Sequence, residues 1–182
     1  YPRAPLYSMC EFVSGVNVGK FVQDESIVLL SPDNHPTRVI LSDHMQTLSS
    51  GLLIVGGNDA VVPDADQNGT KGWVAVHCRV DGVNVTAPIT VYHDDLRASK
   101  EQLPSEMNCV ELAQEGQPQL LATNLFVGQM MSALLHRYLT LPLRQAVEVV
   151  EVCVDSSTTD ICSYGIRERH LNTLFSGKGG DS

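Results

Sequence analysis

Leu52-Leu53-Ile54-Val55-Gly56-Gly57-Asn58-Asp59 sets four consecutive apolar residues against two glycines, an amide and a carboxylate. An apolar run without alternation fits a strand covered on both faces, as in the parallel sheets of α/β proteins, and the glycines predict that it opens into a loop. Open α/β sheets place ligands beyond the carboxyl ends of such strands, so Asp59 stands where a ligand would be met.

Upstream, residues 7–13 and Ser26–Leu30 read as short strands, with Ser31-Pro32-Asp33-Asn34-His35-Pro36 as turn material. Residues 38–41 form another mostly apolar run, and Ser42-Asp43 can cap a short helix that ends near Gly51. Downstream, residues 72–80 and 83–93 are rich in Val and Thr and flank Asp81-Gly82, the strongest hairpin signal in the chain. Leu120, Leu121, Leu125, Val127, Met131, Leu134, Leu135 and Tyr138 recur at helical spacing, which predicts one long, largely buried helix over 119–139. Residues 147–154 and 161–166 predict a second antiparallel pair. A last helix is expected over 167–175, and a loose tail over 178–182. The pattern is mixed α/β: parallel and antiparallel strands, antiparallel hairpins and one long buried helix.

A length of 182 residues and a mass of 19.8 kDa fit one domain, which the element pattern places over 1–177. Hydrophobic residues at 43% and charged residues at 18% belong to a globular chain rather than a disordered one. Twelve basic against twenty-one acidic side chains give a formal charge of −9, a field that repels nucleic acid and anionic membrane. The longest apolar runs fall far short of the roughly 20 residues that span a bilayer. Five cysteines (Cys10, Cys78, Cys109, Cys153 and Cys162) are odd in number, with no Cys-x-x-Cys pair. That suits reduced, buried thiols in a cytoplasmic protein, although Cys153 and Cys162 flank a turn and could bridge.

Among local motifs, Asp64-Ala65-Asp66-Gln67-Asn68-Gly69-Thr70 is the sharpest. Oxygen-bearing side chains at alternate positions, with glycine sixth, are the start of a calcium loop, with Asp64, Asp66 and Asn68 as ligands. The twelfth position is Ala75 rather than the closing glutamate, so the same residues also read as a solvated turn. His93-Asp94-Asp95 is one end of a metal or acid/base cluster, or a polar strand end. No two of the six histidines stand at the i, i+4 spacing of a helical metal site, and no G-x-S-x-G, P-loop or G-x-G-x-x-G is present.

Three segments carry a resemblance: Glu11-Phe12-Val13-Ser14-Gly15-Val16-Asn17-Val18-Gly19-Lys20, then residues 52–59, then residues 107–138 with Thr123-Asn124 near the start of the long helix. In this order they resemble the ThiF-type, ubiquitin-activating-like adenylyltransferases. The resemblance implies a Rossmann-like sheet whose glycine-rich first strand-turn-helix would lie before Tyr1. It implies Mg-ATP as cofactor, with Asp59 at magnesium, and Asn17, Gly56 and Gly57 at the nucleotide. Lys20 stands where the family has arginine and supplies charge without the planar fork. The implied reaction is adenylation of the C-terminal carboxylate of a ubiquitin-like protein or peptide, with Asp59 and Lys20 catalytic. Relatives pair as dimers, so a second copy or a partner subunit is implied as well. Two other readings compete: a non-catalytic ThiF-like scaffold, and an extracellular calcium-binding β-rich module that takes the loop at 64–70 and the sequons at Asn68 and Asn84 at face value.

Overall fold

The computed structural model describes residues 10–31, 34–59, 68–107 and 120–165; it begins with a single helical turn, Val18–Phe21 (α1), and enters the sheet at Ser26–Leu30 (β1). The expected strand at 7–13 is corrected over its described part, since residues 10–13 carry no regular structure. The Asn17 side chain takes up their polar groups: Oδ1 accepts from Ser14 N at 2.7 Å and Nδ2 donates to Phe12 O at 2.9 Å. Backbone groups satisfied locally have no ladder to join.

Helix His35–Met45 (α2) carries the chain back along β1 and delivers it to Gly51–Asn58 (β2), which lies parallel to β1 from Ser26 opposite Gly51 to Leu30 opposite Val55. The cap of this helix is not at Ser42-Asp43, as the sequence reading has it. Asn34 Oδ1 accepts from Thr37 N at 2.8 Å, with proline in the first turn, so the helix starts well upstream and absorbs residues 38–41. β2 is buried from Leu52 through Gly57, and the two glycines remain in the strand instead of opening a loop. They stay because Lys71–Val80 (β3) pairs antiparallel along the whole of β2, from Arg79 opposite Gly51 to Gly72 opposite Asn58.

Asp81 and Gly82 turn the chain with φ of 49° and 77°, the left-handed pair that a two-residue hairpin favours. The returning strand, Val83–Asn84 (β4), is far shorter than the expected 83–93. Thr86 ends it: its Oγ1 accepts from Cys78 N at 2.8 Å and donates to Val76 O at 2.9 Å. A hydroxyl thus fills the next rung of the ladder, and the chain leaves the sheet for two short helices, Ile89–Tyr92 (α3) and Asp95–Ala98 (α4).

Helix Leu121–Thr140 (α5) and the turn Leu143–Ala146 (α6) precede the antiparallel strands Glu151–Asp155 (β5) and Asp160–Tyr164 (β6). The sheet order is β1-β2-β3-β5-β6, with β4 beside β3. Period-2 alternation sorts the side chains into two cores. On one face Leu53, Val55 and Ala75 pack with Leu41, Met45, Ile89 and Leu96 of α2, α3 and α4; on the other, Ile54, Val74, Val76 and Val152 pack with Val127, Met131 and Leu134 of α5.

The expectation of a largely buried long helix holds for one stripe only, because Leu121, Leu125 and Leu139 are 72%, 66% and 59% exposed. The stripe that is buried comes close to the backbone: a Cβ on Gly56 would lie 2.6 Å from Met131 Sδ, and one on Gly72 2.6 Å from Val127 Cγ2. The expected last helix at 167–175 and the tail lie outside the described residues.

Candidate functional site

One cleft opens where β2 outruns β1 and a second lies over β3, β5 and β6; Arg38 lines the first and lies against Trp73 in the wall of the second. β1 ends at Leu30, opposite Val55, so Gly56 to Asn58 have no β1 partner on that edge. Arg38 lies in the first turns of α2, four residues after the Asn34 cap, and its Nη2 donates to Gly56 O at 3.1 Å, standing in for the missing strand. The side chain is 4% exposed, and its guanidinium carbon sits 5.4 Å from the centre of the Trp73 ring, within cation–π range.

The first cleft, about 180 Å³, is lined by Ser31, Arg38, Asn58, Asn124, Gly128 and Met131 together with Gly56 and Gly57. Its polar wall is a guanidinium, a hydroxyl and two amides. Asn58 Nδ2 is buried without a hydrogen-bond partner among the described residues, a state that costs about 1–3 kcal/mol when nothing relieves it. Such a donor-rich wall suits an acceptor-rich group, a phosphate or carboxylate. The volume holds a group of that size rather than a whole nucleotide, since pockets for whole ligands run to roughly 300–1,000 Å³.

The second cleft, about 350 Å³, lies on the α2–α3 face, over β3, β5 and β6. Trp73 and His93 stack in its wall, ring centres 3.9 Å apart and planes at 22°. Gly57, opposite Trp73 in the ladder, allows the indole to lie flat; a Cβ there would meet Trp73 Cε2 and Cζ2 at 2.8 Å. His93 Nε2 is 2.9 Å from Glu151 Oε1, and the Glu151 side chain is wholly buried. Asp59, Asp155, Asp160 and Lys71 complete the charged part of the lining, with Cys153 and Cys162 between them. Hydrogen bonds from the Ser157 side chain and backbone hold the Asp155 carboxyl below its ordinary value. Burial pushes the Cys153 thiol up.

The residues singled out from sequence divide between these places. Asp59 is half-buried at the end of β2, its N–H donating to Lys71 O at 2.9 Å, and it lines the second cleft. Gly56 and Gly57 border the first cleft, and each also gives way to a neighbour, Gly56 to α5 and Gly57 to Trp73. Asn17 and Lys20 line neither cleft: Asn17 closes the turn before α1, and Lys20 is exposed, 3.7 Å from Glu11. The structure therefore does not bring Lys20 and Asn17 together with Asp59 in either cleft. Asp64 and Asp66 lie outside the described residues. Asn68 Oδ1 accepts from Thr70 N at 3.3 Å and Thr70 Oγ1 at 2.8 Å, the bonding of a turn. Among the described residues no group of three or more His, Cys, Asp and Glu is placed to hold a metal.

Arg38 and Glu151 were not found from sequence, which singled out His93 together with Asp94 and Asp95 rather than with Glu151. Arg38 had a signal, an Asn-x-x-Thr-Arg start behind a strand; Glu151 had none, since nothing local marks a glutamate that will meet His93 on the α2–α3 face of the sheet. No described helix is long and apolar enough to cross a membrane. Comparison of the chain with protein-family models and with curated proteins finds no match.

Proposed function

We propose that the chain is a ThiF-type adenylyltransferase component that activates the C-terminal carboxylate of a ubiquitin-like protein or peptide with Mg-ATP, the phosphate end of the nucleotide binding in the first cleft. One observation carries this reading: a buried arginine at the start of α2 faces the carboxyl rim of a parallel β1-α2-β2 unit, the place where open α/β sheets take phosphates. In this reading Arg38, held by Gly56 O and Trp73, presents a fixed fork to phosphate oxygens, and the Asn58 and Asn124 amides add neutral donors. Asp59 directly follows Asn58 of the first cleft but itself lines the second, and in this reading its carboxylate would reach magnesium around the end of β2, where phosphates and water would supply the other ligands. The acyl carboxylate attacks the α-phosphorus, and pyrophosphate leaves.

The reading places the protein in the cytoplasm, with a ubiquitin-like partner and a second copy or partner subunit. The described cysteines are free thiols, and Ile27, Leu29, Leu121 and Leu125 offer exposed apolar surface. The small volume of the first cleft favours one alternative, a scaffold of the same fold that binds a partner and no nucleotide.

Mg-ATP added to the wild-type chain should raise its melting temperature, since a ligand at a hundred times its Kd stabilises by about 2.7 kcal/mol. Arg38→Ala should remove that shift and Arg38→Lys should keep part of it, while Asp59→Ala should abolish pyrophosphate exchange into ATP in the presence of the partner. Neither shift nor exchange in the wild-type chain overturns this reading, and an Arg38→Ala chain that still binds as well as wild type sinks the proposed placement.

A further inference from the structure

Cys153 and Cys162 face each other across the β5–β6 ladder as register partners. Partners in an antiparallel pair have Cα atoms roughly 4.5–5.5 Å apart, inside the roughly 4.4–6.8 Å that a disulfide spans. Their side chains point to the same face, since both line the second cleft. Both are free thiols, Cys162 exposed and Cys153 half-buried.

We propose that Cys153 and Cys162 are a modification site: a dithiol that a hydroperoxide converts into a reversible cross-strand disulfide. The exposed Cys162 meets the oxidant first. Its thiolate attacks one peroxide oxygen, an S–O bond forms as the O–O bond breaks, and hydrogen peroxide leaves water behind a sulfenic acid. The Cys153 sulfur then displaces the hydroxyl, the S–S bond forms as the S–O bond breaks, and the Cys153 thiol proton leaves with that hydroxyl as a second water. The peroxide takes up the two electrons that the thiols give, and a dithiol reductant returns them. Burial and the neighbouring Cys162 both favour the protonated form of Cys153, which suits a resolving thiol rather than the one that reacts first. The other described cysteines have no such partner in the sheet: Cys78 is buried on the opposite face, and Cys10 precedes the first element.

The product changes the wall of the second cleft, because Cys153 is also the ladder partner of Trp73. Trp73 is the only tryptophan in the chain. A disulfide formed next to an indole quenches its fluorescence, so the site carries its own reporter. This inference does not depend on nucleotide binding.

The test uses the full chain treated with hydrogen peroxide, then a dithiol. Thiols titrated after denaturation should fall from the five of the sequence by two, to three. Peptide mapping should join the Cys153 and Cys162 peptides. Trp73 emission should drop and recover on reduction. In Cys153→Ser the sulfenic acid on Cys162 should persist and be trapped by dimedone; in Cys162→Ser the emission should not respond. Five thiols surviving peroxide, thiol loss at other cysteines, or a bond between two chains would each overturn the proposal. The mapping on wild-type protein decides the matter even where a serine variant does not fold.

Discussion

Gly57 matters because of what lies against it. With the indole of Trp73 flat on its Cα and the His93 ring stacked on that indole, one hydrogen atom where a methyl would be sets the position of both rings and, through His93, the approach to Glu151. Gly57→Ala forces the indole away, and overpacking of this kind costs about 1–3 kcal/mol. Urea unfolding should show that loss, with a changed near-ultraviolet signal from Trp73. Gly128 is the control: it lies within α5 and has nothing within 4 Å of a built Cβ. Gly128→Ala should therefore stabilise by about 1 kcal/mol, the helix-propensity difference alone. A loss at Gly128, or none at Gly57, would show that these contacts do not decide the packing. Sequence showed Gly56 and Gly57 and gave them a ligand role by resemblance, but what a glycine makes room for depends on residues that only the folded sheet brings near. Asp59 does follow a strand, although β2 runs on through Gly56 and Gly57 to Asn58 instead of opening at the glycines, and it lines a cleft; Asn17 and Lys20 were joined to it only by order along the chain.

Each element forms for reasons its neighbours settle. The long helix, β1, the buried run of β2, the turn at Asp81-Gly82 and the β5–β6 pair were all legible, since period, apolar runs and left-handed turn residues act over a few positions. The start of α2 and the end of β4 were not. Asn34 and Ser42-Asp43 are both capping sequences, and Asn34 wins because Pro36 fits only the first turn and Arg38 to Leu41 continue a helix that buries Arg38 and Leu41. Asn34→Ala should cost about 1 kcal/mol and also loosen Arg38, whose fork depends on that first turn. Thr86 stops β4 through a hydroxyl that replaces a ladder rung, which no strand propensity reports. Thr86→Val keeps the shape but takes from Cys78 N its hydroxyl acceptor and from Val76 O its hydroxyl donor, in the interior. That change should cost about 1–3 kcal/mol, read as a lower urea midpoint at unchanged slope; a neutral outcome would mean the backbone had re-paired and β4 had lengthened.

The molecule as a whole keeps one imidazole out of water. His77 is fully buried in β3, its Nε2 3.1 Å from Asn84 Oδ1 and its Nδ1 without a partner among the described residues. Burial is the largest cause that lowers its pKa, and Arg79 adds to it, while the bond to Asn84 opposes. An imidazole with a lowered folded pKa resists protonation that the unfolded chain accepts near pH 6.5. The unfolded state therefore binds more protons in acid, and stability decreases as the pH is lowered. The contribution of neutral His77 is whole above about pH 6.5 and is lost as pH drops from there through the folded value. Asp24 and Asp155 have lowered pKa values, so their own losses begin only below the ordinary carboxylate value of about 3.9 and do not overlap the start of this window. Urea midpoints of wild type and His77→Gln, measured from neutrality down to about pH 5, should converge as acid removes an advantage that only the histidine chain can lose. Midpoints that run parallel over that range would mean His77 takes up its proton as readily in the fold as outside it, and that the layer over β3 does not exclude water as its burial implies.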